Sequence, residues 1–164
     1  MNRLFLIIIL LIGFQVIGST QSIKKLMADV ETAFQKKDYP TALANCISLL
    51  KVDSTNLVGL EKAGQTALEL KMYKLALYYL EKLKQLDTAD KIPYKEVHLA
   101  RIEHHQGNYD KAISLYRKAL SNNYGLSEEK QNEINRRIEA CRESQSVSWQ
   151  DTSARVKLLS GINS

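Results

Sequence analysis

The residues with the widest chemical repertoire in this chain are three histidines and two cysteines: His98, His104 and His105, with Cys46 and Cys141. His98 and His105 stand seven apart and share a helix face, near Arg101 and Glu103. Zinc sites draw histidines at i and i+4, or cysteine and histidine from several elements. Neither arrangement occurs, so the histidines read as a solvated or loosely packed face. No Gly-rich phosphate loop, serine-nucleophile elbow or paired-carboxylate motif is visible. Carboxylates mostly have a Lys or Arg nearby, as on a solvated helix face. The expectation is a protein without catalytic residues, cofactor or bound metal.

The elements that would position any site are helices. Gly (7) and Pro (2) are scarce, which argues against an all-β chain. The apolar share of 45% and charged share of 25% suit one modest soluble domain. The net charge of +5 comes from interleaved charges without a basic block, so a nucleic-acid surface is not indicated. Leu57–Asp90 sets the pattern. It predicts two helices with a break at Leu70–Met72. Apolar residues recur at helical spacing at Leu57, Leu60, Ala63 and Ala67, then at Leu75, Leu77, Leu80 and Leu83. Small residues, Gly64 and Ala76, stand where the paired helices are expected to touch.

The same layout occurs three times. Tyr39 and Ala42, Tyr73 and Ala76, and Tyr109 and Ala112 repeat a Tyr–x–x–Ala step, with the tyrosines 34 and then 36 residues apart. Such a period marks stacked supersecondary units. These residues resemble the tetratricopeptide repeat. Its consensus has a small residue in the middle of the first helix, here Val30, Gly64 and Ala100. It continues with Tyr opening the second helix, Ala three later, and an Asp-Pro ending. The endings here are Leu49–Ser54, Leu83–Thr88 and Ala119–Tyr124; the Pro is missing each time and the third lacks the Asp. Leu26, Leu60 and Glu96 replace the consensus Trp. The resemblance implies an all-α, right-handed superhelical solenoid of three hairpins, 23–56, 57–90 and 91–125, each burying its apolar stripe against its neighbours. Pro40 fits the start of a second helix, and Pro93 the first turn of the third opening helix. Two extra residues fall in the loop around Ala89–Ile92. Cys46 then lies in the first unit and Cys141 in the closing helix, with two units between them. A disulfide needs Cα atoms within about 7 Å, so two buried free thiols are expected.

Both ends differ from this core. Residues 1–20 read as a signal peptide: Arg3, an apolar run over Leu4–Ile12, then Gly18, Ser19 and Thr20, with cleavage expected between Gly18 and Gln21. The run is short for a membrane span, which needs about 20 residues. The alternative is an uncleaved anchor; either way the remainder is expected outside the cytoplasm, in the periplasm or at the outer membrane. Residues 126–144 read as a capping helix, with Ser127, Glu128 and Glu129 at its start and Ile134, Ile138 and Cys141 on one face. The alternative is the first helix of a fourth repeat. Residues 145–164 read as an irregular tail, with short extended runs at Val147, Trp149, Val156 and Leu158. Val156–Ser164 resembles the segment leading into the β-propeller of Bacteroidetes-type envelope proteins. Those proteins join tetratricopeptide repeats, a WD40-like propeller and an OmpA-like peptidoglycan-binding domain. On that resemblance the tail would begin a missing propeller.

In the tetratricopeptide family the first helices line a concave groove. Carried over by repeat phase, that gives Met27, Glu31 and Phe34, then Glu61, Gln65 and Leu68, then Tyr94, His98, Arg101 and His105 as partner-binding residues. A groove with Phe34, Leu68 and Tyr94 among polar groups suits an extended or helical peptide. Members of the family that clamp a terminal carboxylate do so with Lys and Asn on the first helices and Lys and Arg later; the matching positions here are Met27, Glu31, Lys62, Tyr94 and His98, of which only Lys62 is basic, so that activity is not expected. The expected function is an exported protein–protein interaction scaffold without catalysis. Its expected setting is a cell-envelope assembly, with the chain an N-terminal module of an OmpA-family protein of the type IX secretion or gliding machinery. The alternatives are a stand-alone periplasmic adaptor and an accessory domain of an envelope enzyme.

Overall fold

The computed structural model describes residues 22–122 and 125–162, with side chains described as far as Ser146. The expected signal peptide and its cleavage region lie outside the described residues. Helix α1 spans 22–35. It is followed by α2 (Tyr39–Val52), α3 (Leu57–Glu69), α4 (Tyr73–Leu86), α5 (Lys95–His105), α6 (Tyr109–Ser121) and α7 (Glu128–Ile162). No strand occurs among the described residues. The chain divides into two compact units, Met1–Ile92 and Pro93–Ser164. The first holds α1–α4 and the second α5–α7.

Each hairpin turns in the same way. Lys37, Lys71 and Gly107 have φ of 59°, 58° and 79°, the left-handed conformation that ends a helix. The next residue's N–H then reaches back five positions: Asp38 to the Ala33 carbonyl (3.0 Å), Met72 to Ala67 (2.8 Å) and Asn108 to Glu103 (2.9 Å). These bonds satisfy carbonyls that the helix end would leave open. Only the third turn uses glycine, so the first two carry the strain of a side chain at positive φ. Asp38 then caps α2 by accepting the Thr41 N–H at 3.2 Å, with Pro40 in the first turn. Pro93 instead precedes α5, whose cap is Tyr94.

The acidic endings hold the links between hairpins. Asp53 accepts from the Thr55 N–H (3.1 Å), the Thr55 hydroxyl (2.9 Å) and the Asn56 amide (3.0 Å). Asn56 in turn caps α3 by accepting the Gly59 N–H at 2.9 Å. Buried Asp87 accepts from the N–H groups of Lys91 (2.7 Å) and Ile92 (3.0 Å), which orders the longer loop before α5.

The second helices bury the same three positions: Ala42, Cys46 and Leu49 in α2, Ala76, Leu80 and Leu83 in α4, and Ala112, Tyr116 and Ala119 in α6. The first position is always Ala. The second changes size, and the small-residue site of the first helix changes with it. Val30 shares a cluster with Cys46, and Ala100 shares one with Tyr116. Gly64 lies under Leu80: a Cβ there would come within 2.7 Å of Leu80 Cγ and Cδ2. The close contact expected of Gly64 is therefore made with Leu80, one turn beyond Ala76. A small side chain on one helix makes room for a larger one on its partner.

The third hairpin also buries a charge. Glu96, at the consensus Trp position, is buried and receives a hydrogen bond from Lys118 Nζ on α6 at 2.9 Å. This bond offsets part of the cost of burying the carboxylate.

The helix expected over 126–144 continues to Ile162, so the backbone of 145–162 is neither irregular nor extended. Residues 126–160 contain no Gly or Pro. Serine is only a mild helix former, not a breaker. On α7, Ile134, Ile138 and Cys141 are buried against α6, while Gln131, Asn132, Asn135, Arg136, Glu139 and Arg142 are exposed.

Gly64→Ala should lower stability by about 1 kcal/mol, because overpacking against Leu80 outweighs the gain in helix propensity. Lys71→Gly should raise it by about 0.5–1 kcal/mol by relieving the left-handed residue. Chemical denaturation of the two variants reads both signs.

Candidate functional site

The first unit contains a pocket of about 320 Å³ lined by Met27, Ala28, Val30 and Glu31 of α1, Leu49 of α2, and Val58, Gly59 and Lys62 of α3. It lies between the opening helices of the first two hairpins. Its floor is apolar: Val30 and Leu49 are buried. Gly59 shapes one wall, since a Cβ there would fall 2.9 Å from Leu49 Cδ2 and 3.3 Å from Leu50 Cδ2. Val58 stands at the lip, 39% exposed.

One ion pair closes the rim. Lys62 Nζ lies 2.9 Å from Glu31 Oε2 and 4.9 Å above the centre of the Phe34 ring. Glu31 Oε1 accepts a hydrogen bond from Gln35 at 3.1 Å. The hydrogen bond from Lys62 is the main reason the Glu31 carboxyl titrates below its ordinary value. The pocket therefore offers apolar walls and a neutralised rim. It suits an uncharged, apolar side chain rather than a carboxylate. Burial pushes the nearby Cys46 thiol up to about 11, which keeps it protonated.

The second unit holds a charged cluster where α7 meets α5 and α6. Glu133 accepts from Lys130 Nζ at 2.6 Å and from Arg137 at 2.8 and 3.1 Å. Burial alone would raise its pKa, but these bonds hold it down at about 2. Arg137 also neighbours Tyr116, whose buried hydroxyl is pushed up to about 12, chiefly by burial. Lys130 Nζ sits 5.7 Å from the Tyr94 ring centre. Burial, with Arg137 and His105 nearby, lowers the pKa of His104. Among the described residues no group of three His, Cys, Asp or Glu is placed to hold a metal ion. No described helix is long and apolar enough to cross a membrane. Cys46 and Cys141 are both free and buried.

The ten residues expected to bind a partner fall in different places. Met27 and Glu31 line the pocket, and Phe34 is half-buried beneath Lys62. Glu61 and Gln65 are half-buried on α3. Leu68, only 5% exposed, is a core residue. It faces inward because α3 packs on both α2 and α4. Tyr94 is half-buried and packs on the core of the second unit. His98 is also 5% exposed, so it does not share a solvated face with exposed His105; Arg101 is half-buried. Sequence reasoning missed Ala28, Val30, Leu49, Val58 and Gly59, and weighed Lys62 only as part of a carboxylate clamp. The adjacent pair Val58-Gly59 at the start of α3 was the available signal.

No protein-family model matches the chain. No curated protein matches it. Solved structures do. The TPR domain of Arabidopsis OM64 aligns with a TM-score of 0.63 at 15% identity, covering 76% of this chain and 98% of that one. The type III secretion translocator chaperone SycD of Yersinia enterocolitica aligns at 0.67 and 17%, covering 77% and 88%. The TPR2B domain of yeast Sti1, solved as a complex with pHsp70, aligns at 0.62 and 14%, covering 78% and 98%. At these identities the likeness establishes the fold: helical hairpins of the tetratricopeptide kind.

The Glu133 carboxyl is depressed in the folded chain, so its contribution to stability is full above its ordinary value of 4.5 and is lost as pH falls toward about 2. Glu133→Gln should flatten the loss of stability across that window, as followed by helical circular dichroism against pH.

Proposed function

We propose that this chain is an exported interaction scaffold that binds a partner through an extended segment, with an apolar side chain anchored in the pocket between α1 and α3. The observation that carries this is the pocket itself: apolar walls from Met27, Val30, Leu49 and Val58 under a rim where the charged groups among the described lining residues, Glu31 and Lys62, pair with each other. Anchors of this kind supply most of the binding energy in peptide grooves. Solved neighbours that share the fold support a peptide as the ligand class: Sti1 TPR2B was solved with pHsp70, and SycD also with a peptide of the translocator YopD. The chemistry on view is binding, and we assign no catalysis.

The periplasm is the proposed location, on the n-region, apolar run and small residues of 1–20. A cell-envelope assembly, with the chain as a module of an OmpA-family protein of the type IX secretion or gliding machinery, is the finer proposal. It rests on the resemblance at Val156–Ser164. The backbone of 156–162 is helical. A stand-alone periplasmic adaptor is the alternative setting.

Peptides selected from a random display library against residues 22–164 should carry a single Leu, Met or Phe flanked by uncharged residues. Val58→Asp, which places a carboxylate at the exposed lip, should weaken their binding at least tenfold and leave helical circular dichroism unchanged. Undiminished binding would move the interface away from the pocket.

A further inference from the structure

We propose that Gly59 is the specificity-determining residue of the recess between α1 and α3. With Leu49 beneath it, Gly59 leaves room for an anchor as large as Phe, and a side chain in its place would restrict the recess to small anchors. This inference rests on the reading of the pocket as a peptide site and adds the size of side chain it selects.

Backbone requirements do not explain this glycine. Gly59 is the third residue of α3, and glycine is the poorest helix former after proline. Positive φ does not call for it either, since that conformation falls to Gly107 and Gly125. Space does call for it. A Cβ at Gly59 would fall 2.9 Å from Leu49 Cδ2 and 3.3 Å from Leu50 Cδ2. Leu49 is buried among close-packed neighbours, and the recess is the open side that it lines. A side chain at this position therefore either occupies the recess or drives Leu49 into it. Without one, the recess keeps its volume of about 320 Å³, more than a phenylalanine side chain fills.

The second unit shows the opposite solution at the same places. Ser127 accepts the Lys130 N–H at 3.3 Å at the start of α7, as Asn56 accepts the Gly59 N–H at the start of α3. Lys130 is thus the third residue of its helix, where α3 has Gly59. Ala119 holds on α6 the buried place that Leu49 holds on α2. Lys130 reaches across toward α5: its Nζ lies 5.7 Å from the Tyr94 ring centre and 2.6 Å from Glu133. A small floor residue goes with a long side chain that spans two opening helices. A large floor residue goes with none, and the gap stays open. The fold accommodates both pairs, so Leu49 with Gly59 is a property of the site and not a demand of the hairpin.

The test is anchor size preference. One display-selected peptide is synthesised with Phe, Leu or Val as its anchor, and fluorescence anisotropy gives each dissociation constant for the full chain and for Gly59→Ala. A methylene more or less in an apolar pocket changes affinity about 10–200-fold. The ratio of Phe to Val affinity should therefore fall about tenfold or more in Gly59→Ala, with Val binding unchanged. Leu49→Val, which deepens the floor, should move the ratio the other way. If Gly59→Ala loses its helical circular dichroism, the methyl is added in the Leu49→Val background, where the contact at 2.9 Å is relieved. There it should lower the ratio relative to Leu49→Val alone. Equal weakening of all three peptides would overturn the proposal by giving Gly59 a purely structural role, and an unmoved ratio would overturn it as well. Either result leaves the pocket reading standing. If the wild-type chain binds none of the three peptides, the pocket reading falls and this inference falls with it.

Discussion

The structure depends on one contact made three times, where the middle of a first helix meets its partner. The helices can approach only if the two facing side chains share a limited volume. Val30 with Cys46, Gly64 with Leu80 and Ala100 with Tyr116 are three divisions of that space. Interiors pack too densely for one partner to grow without the other shrinking. This explains how a repeat can drift far in sequence while Ala42, Ala76 and Ala112 keep one buried position unchanged.

The same constraint shows where a binding site can arise. Inside a hairpin, facing side chains fill the space. Between the opening helices α1 and α3 they do not: the pocket has Leu49 at its floor and Gly59 as a wall without a side chain. The Lys62–Glu31 pair, half-exposed and worth little to stability, keeps the rim neutral. Rigid hairpins thus frame an apolar recess, a preorganised arrangement that lowers the entropy cost of binding.

Local features were legible in the sequence. The Tyr–x–x–Ala steps marked the second helices, and the turns at Lys37, Lys71 and Gly107 fall on the same period. Less was legible wherever distant residues decide. The contact of Gly64 depends on where Leu80 sits, sixteen positions on, and the burial of Glu96 depends on Lys118. Leu68 and His98 sit at groove positions by phase, yet both are buried, because phase does not show how closely each helix is surrounded. The serines after Ser144 read as a helix end, but only Gly or Pro would have forced one. The pocket joins three helices, and the pair Val58-Gly59 marks only one of its walls.

The central claim is that the recess between α1 and α3 receives an apolar side chain of a partner segment. Backbone amide shifts of isotopically labelled residues 22–164, titrated with an apolar peptide selected by display, test it most directly. The account predicts shifts concentrated at Met27–Glu31 and Val58–Lys62, with little change elsewhere. Shifts confined to the exposed apolar residues of α2 and α4, such as Ile47, Tyr78 and Leu86, or to α5–α7, would contradict it.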